Sequence, residues 1–298
     1  MTSPSPDIFD RTLLRIRRNR RARQSGTADF LLQAVAAEVA DRLDSINREF
    51  ETSVAYNAAD GTLARAMADT GKAGWICSAD LAEDQLSAAP PPHAVLDEER
   101  LAIAPGRLAL FVSGLTLHLA DDLPGALIQI RQALRPDGLF LGALFGGDTL
   151  SELRQAFLAA ETEMTGGVSP RVAPFADVRD LGGLLQRAGF ALPVVDTDRL
   201  TARYGSALEL MHDLRAMGAT SVLRERSRTP LTRSLLMKVA ETYHALHADP
   251  DGRIPATFQI VYLTGWAPHE SQQKPLAPGS AEKSLAGALG TEEQKFSR

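Results

Sequence analysis

Phe30, Leu31, Ala34, Val35, Val39 and Leu43 recur at helical spacing and predict an amphipathic helix over residues 28–43. Beyond it, short apolar runs alternate with helical stretches. Strands are predicted at 52–56, 74–79, 93–96, 108–113, 138–145, from 191–195 onward, and at 257–266. Helices fall between them, at 61–68, 123–134, 149–165, 177–188, 206–217 and 231–247. The runs at 108–113 and 138–145 are apolar almost throughout, as in parallel strands covered on both faces. Pro136-Asp137-Gly138 reads as a turn separating helix from strand, and Gly189 as a helix C-cap. Such alternation implies an α/β fold with a doubly wound, mostly parallel, seven-stranded Rossmann-like sheet and extra helices in the C-terminal half. No internal repeat is visible. Three regions are expected: an N-terminal arm over 1–27, one α/β domain over 28–268, and a polar tail over 269–298 with little core of its own.

Composition refines this picture. The 298 residues are 44% hydrophobic and 23% charged, which suits a globular chain with a substantial core. The net charge of −5 argues against a nucleic-acid binder. Cys77 is the single cysteine, which excludes an internal disulfide framework and a CxxC zinc site, and fits a reducing, cytoplasmic setting. The arm carries Arg11, Arg15, Arg17, Arg18, Arg20, Arg21 and Arg23. Such a run reads first as a solvated, partly helical segment, and second as a contact for an anionic membrane surface or an acidic partner. Asp7 and Asp10 argue against a transit peptide.

In an open α/β sheet, ligands sit beyond the carboxyl ends of the strands. The first strand-to-helix turn is Val54-Ala55-Tyr56-Asn57-Ala58-Ala59-Asp60-Gly61. It is either a nucleotide-facing loop or a plain strand-turn-helix joint. Asp80 ends the second strand, where an acidic residue accepts from ribose hydroxyls or caps a helix. Asp97, Glu98 and Glu99 follow the third strand, and Ser113 and Gly114 the fourth. His118 is either structural or chemical. Asp148 follows the fifth strand and either grips a guanidinium or caps the next helix. Tyr204 either lines a channel or is buried with its hydroxyl satisfied. His244 and His247 stand at i and i+3 with no third metal ligand evident, so no metal is expected.

The order of elements, with Leu115-Thr116-Leu117-His118 and Asp121-Asp122-Leu123-Pro124, resembles the class I S-adenosylmethionine-dependent methyltransferases. That family carries Asp-x-Gly-x-Gly-x-Gly in the first turn. Aligned on Gly61, its acidic position falls on Ala55 and its earlier glycines on Asn57 and Ala59. Asn tolerates positive φ. A Cβ at Ala59 on strained backbone would cost about 1–3 kcal/mol, and loss of the acidic hydrogen bond roughly 1.5–3 kcal/mol. The resemblance implies S-adenosylmethionine held by the turn (Ala55, Asn57, Ala59, Gly61), Asp80, Asp97, Glu98 and Ser113, weakly or not at all.

The second half is more specific. Phe145-Gly146-Gly147-Asp148-Thr149-Leu150, the segment from Gly166 to Phe190, Met211-His212-Asp213-Leu214, Met217-Gly218-Ala219-Thr220 and Ile254-Pro255-Ala256-Thr257-Phe258 are its marks. With Phe9-Asp10-Arg11, they resemble bacterial relatives of the mitochondrial complex I assembly factors that have a methyltransferase fold. That resemblance implies modification of a protein side chain, by methylation or arginine hydroxylation, on a quinone-site subunit of complex I. The residues read above leave Asp148, His118 and Tyr204 as the catalytic candidates. A non-catalytic assembly chaperone is the alternative raised by the altered turn. The malonyl-carrier-protein methyltransferases are a more distant resemblance.

Overall fold

The computed structural model describes residues 7–23, 29–175 and 177–272. Ala28, where the expected helix begins, and the tail beyond residue 272 lie outside them. The strands are β1 (Phe50–Tyr56), β2 (Ala73–Asp80), β3 (His93–Val95), β4 (Leu108–Gly114), β5 (Leu134–Phe145), β6 (Ala191–Tyr204) and β7 (Ile254–Trp266). They form one sheet in the order β3-β2-β1-β4-β5-β7-β6. The first five are parallel, and β7 runs antiparallel between β5 and β6.

The helices are α1 (Arg11–Ala22), α2 (Phe30–Ser45), α3 (Thr62–Asp69), α4 (Leu123–Ala133), α5 (Ser151–Thr165), α6 (Val178–Arg187), α7 (Ala207–Ala216) and α8 (Arg233–His247). Alternate residues of each central strand point to opposite faces, so both faces need cover. Val54, Phe111 and Phe140 pack with Leu127 and Ile130 of α4 and Leu181 and Leu185 of α6. On the other face, Leu110, Val112 and Leu141 meet Val35, Val39 and Leu43 of α2 and Leu63 and Met67 of α3. A third cluster joins α5, α7 and α8 through Phe157, Leu210, Val239 and Tyr243 to Ile254 and Phe258 of β7. No helix among the described residues is long and apolar enough to cross a membrane.

Two sequence expectations change. Pro136-Asp137-Gly138 does not separate α4 from β5. Leu134 already pairs with Leu108, and the register shifts before Leu110 pairs with Leu139, so the three residues form an irregularity inside the strand. Tertiary pairing overrides the local turn signal there. The basic run is not a solvated arm either. It is a helix capped by the Asp10 side chain, with Leu14 and Arg21 buried. Phe9 ties it down through a bridge to Leu223, within a small cluster that includes Val222.

Candidate functional site

The carboxyl ends of β1, β2 and β4 converge as the switch-point geometry requires. Asn57 leaves β1 at φ 90° and is 7% exposed. Asn is the residue best suited to stand in for glycine there, because its short polar side chain bonds locally. Its Nδ2 donates to the Gly114 carbonyl at 2.6 Å. The strain expected at Ala59 does not arise: Ala59 is fully buried with ordinary φ, and the left-handed residues are Asp60 (φ 54°) and Gly61 (φ 72°). A Cβ on Gly61 would lie 2.4 Å from Cδ of Pro90, so only glycine fits. Ala55 is buried against the α2–α3 side of the sheet and offers no polar atom to a ligand.

Asp80 is wholly buried, and its oxygens are fully used. Oδ2 accepts from the Ala58 N–H at 3.1 Å and Oδ1 from Ala82 at 2.9 Å. Arg18 of α1 completes the set in a forked pair, Nε to Oδ1 at 2.9 Å and Nη2 to Oδ2 at 2.5 Å. The same Nη2 donates to Asn57 Oδ1 at 3.0 Å. Burial opposes the charge on Arg18, but the Asp80 carboxylate outweighs it and raises the arginine pKa. Arg11 repeats the arrangement one strand over, donating to Glu98 at 2.6 Å and Asp97 at 2.7 Å. Tyr56 donates its hydroxyl to Glu98, and burial, then the Glu98 charge, push its pKa well up. Ser113 is buried, with its Oγ 2.9 Å from Thr116 Oγ1.

These acidic residues have the chemistry to receive ribose and adenine, but with α1 docked they do not fit an adenosine cofactor. Their acceptors are taken by arginine, and the adjoining cavity beside Arg18, Asn57 and His118 measures about 70 Å³. Small-molecule pockets run to roughly 300–1,000 Å³. The charge run hid this role. The stripe Arg11, Leu14, Arg18, Arg21, at helical spacing, was the available signal that one face of the run points inward.

A second cavity of about 300 Å³ adjoins the first, and His118, Leu119, Phe145, Gly218 and Ala219 wall both. Its sides are Leu150, Leu153, Phe157, Val172, Phe175 and Phe258, and its charged lining among the described residues is Arg17, Arg171, Arg215 and Arg226, with no carboxylate among them. Glu161 offsets Arg171 and Asp10 offsets Arg226. Arg17 gives a hydrogen bond to the Ser221 carbonyl. Burial, then neighbouring Arg226, Arg20 and Arg215, lowers its pKa.

The catalytic candidates separate. His118 stands between the two cavities, packed on the rings of Phe145 and Phe175. Burial, with Arg18 adding to it, depresses its pKa to about 3, so it is a neutral imidazole at physiological pH. Asp148 does hold a guanidinium, that of Arg199 at 2.5 Å, but on the exposed surface and outside both cavity linings. It is not the N-cap of α5, a position taken by Leu150. Tyr204 is buried under α7 and α8, also outside both linings, and burial, then Asp213, raises its pKa.

No family model matches the chain. The human mitochondrial arginine-hydroxylase NDUFAF5 is 41% identical over 297 residues, covering 97% of this chain and 85% of the relative. The zebrafish (Danio rerio) protein of the same name is 37% identical over 286 residues, covering 94% and 89%. A malonyl-[acyl-carrier protein] O-methyltransferase of Xylella fastidiosa is 38% identical over 172 residues, 58% of this chain and 56% of that one. Among solved structures, BH2331 of Bacillus halodurans, classed with the methyltransferases, superposes with a TM-score of 0.54 at 13% identity, covering 78% and 99%. The fold is thus that of the class I methyltransferases, and the chain belongs to the NDUFAF5 arginine-hydroxylase family.

Proposed function

We propose that this protein is an assembly factor of respiratory complex I that modifies an arginine side chain of a partner subunit by hydroxylation, with an external oxidant such as dioxygen, together with a reductant, supplying the oxygen atom. The near full-length similarity to the arginine hydroxylases carries this reading. The 300 Å³ cavity beside the nucleotide end of the sheet supports it. Its apolar walls suit the methylene stem of a long side chain and exclude water around it. Neutral His118 lies at the junction with the nucleotide end; its Nδ1 faces the Phe145 N–H, which leaves Nε2–H to donate one hydrogen bond there. S-adenosylmethionine is the cofactor that the fold suggests for that end. The quinone-site subunit is the proposed acceptor, and the basic helix is a candidate contact for the membrane that houses it. Mass spectrometry of the complex I subunits from cells with and without the gene tests this. An arginine heavier by one oxygen, lost with the gene, is the expected result. Identical subunit masses would remove the hydroxylase reading, and a gain of one methylene would replace it with methyl transfer.

One observation favours a second reading, methyl transfer to an acyl carrier protein. Among the described residues the cavity lining carries four arginines and no carboxylate; Glu161 and Asp10 offset Arg171 and Arg226 from outside it, and the charge left on Arg17 and Arg215 disfavours a guanidinium and favours a carboxylate. Conversion of a malonyl-loaded carrier to its methyl ester by purified protein would establish that activity. Recovery of the free acid unchanged would dismiss it.

A further inference from the structure

We infer that α1 is a removable arginine plug: it holds the nucleotide end of the site with Arg18 on Asp80 and Arg11 on Asp97 and Glu98, and an adenosine cofactor binds by displacing it. The inference rests on the adenosine-cofactor reading proposed above.

Three observations carry it. The first is occupancy. Asp80 and Glu98 are 0% and 2% exposed, and the donors that α1 supplies fill the acceptors a ribose or adenine would use. A ligand hydroxyl and Arg18 therefore compete for the same oxygens. The second is how α1 is attached. Seven arginines fall within the thirteen residues from Arg11 to Arg23. Leu14 is the only apolar side chain of the helix that is fully buried, and Ile16 is 47% exposed. Ion pairs and hydrogen bonds, among them Asp84 N–H to Asn19 and Gln85 to the Arg18 carbonyl, hold the helix beside the small apolar contact of Leu13 and Leu14, so little apolar area is lost on release. A buried ion pair returns little net stability, because desolvation of both charges offsets most of their attraction. The third is the anchor. Phe9 packs with Val222 and Leu223, and Asp10 N–H donates to the Val222 carbonyl at 2.8 Å. The chain before α1 is therefore fastened independently of the arginines, so the helix can leave the site while its root stays.

An alternative geometry has α1 closing over a bound cofactor as a lid. The two make opposite predictions for the amides of α1. S-adenosylhomocysteine, the stable product analogue, is the probe. Its affinity for the full-length protein is measured by calorimetry for the native chain, for Arg18→Ala and for the Arg11→Ala/Arg18→Ala pair. Hydrogen exchange of residues 13–22 is followed with and without saturating probe.

The plug requires at least tenfold tighter binding on loss of Arg18, more in the double variant, and faster exchange of α1 in the native protein once the probe is bound. Unchanged or weaker binding by folded variants, or slower exchange of α1 with probe, overturns the plug and leaves the cofactor reading standing. Failure of all three proteins to bind at millimolar probe removes the cofactor reading and the plug with it. If Arg18→Ala does not fold, exchange in the native chain decides alone.

Discussion

Asn57 and Gly114 are joined across the mouth of the sheet by a 2.6 Å hydrogen bond from the amide side chain to the carbonyl. This bond ties the end of β1 to the end of β4 while the Asn57 backbone sits at φ 90°. Asn57→Ala removes the bond and also asks an ordinary residue to take positive φ. A loss of roughly 2–4 kcal/mol is expected in urea unfolding. Asn57→Gly loses the bond but relieves the backbone, so its loss is expected to be about half as large. Equal losses for the two would mean that the backbone conformation contributes nothing.

Gly61→Ala meets two penalties at once, a left-handed backbone and a Cβ 2.4 Å from Pro90. The expected loss is roughly 2–4 kcal/mol. A lower denaturation midpoint with an unchanged slope is the signature. A variant as stable as the native chain would show that the turn can move away from Pro90.

His118 makes stability depend on pH. Its pKa is about 3 in the folded chain against 6.5 unperturbed, so the unfolded chain takes the proton first. The stability owed to neutral His118 is complete above the unperturbed value and drains away as pH falls from there toward 3. His118→Phe lacks this dependence. Its unfolding free energy is expected to change less than that of the native chain from about pH 6.5 down to about pH 5, above most carboxylate titrations. Parallel pH profiles for the two proteins would contradict the burial of a neutral ring.

Glu161 fastens the wall of the larger cavity. Its Oε1 accepts from Arg171 Nε at 2.8 Å and Nη2 at 2.6 Å, and its Oε2 from the Ser169 N–H at 2.8 Å. Glu161→Gln leaves a partly buried guanidinium short of its counter-charge, and a loss of roughly 1.5–3 kcal/mol is expected. Exchange of the amides at 168–173 is expected to quicken before global unfolding. Native-like exchange there would mean that packing of Val172 and Phe175 alone holds the wall.

Much of the sheet was legible because its central strands are apolar on both faces. The run Leu108–Ser113 needs no partner to be recognised. The far end of β6 was not legible. Its residues after Val195 begin with the polar run Asp196-Thr197-Asp198-Arg199, and their strand conformation comes from pairing with β7 along nearly its whole length. At the site, Asn57, Asp80 and Glu98 were readable from their places after β1, β2 and β3. The partner they meet was not, because a block of arginines reads as solvated until two buried acidic side chains, Asp80 and Glu98, are known to face it. Asp148 shows the converse: a residue placed at the ligand side by its strand was drawn outward by Arg199.

β6 also closes one margin of the sheet, and β3 the other. An open strand margin invites the backbone of another molecule to add to it and so to aggregate. The two margins are guarded differently. β3 has only three residues and follows Pro90-Pro91-Pro92, which leaves almost no ladder to extend. β6 is fourteen residues long, but Asp196 is paired with Arg42, Asp198 and Arg199 stand exposed, and Arg203 bridges to Asp249 and Asp251. An incoming strand would have to bury those charges. The same polar pattern that concealed β6 from sequence reading therefore protects the protein against self-association through its longest open margin.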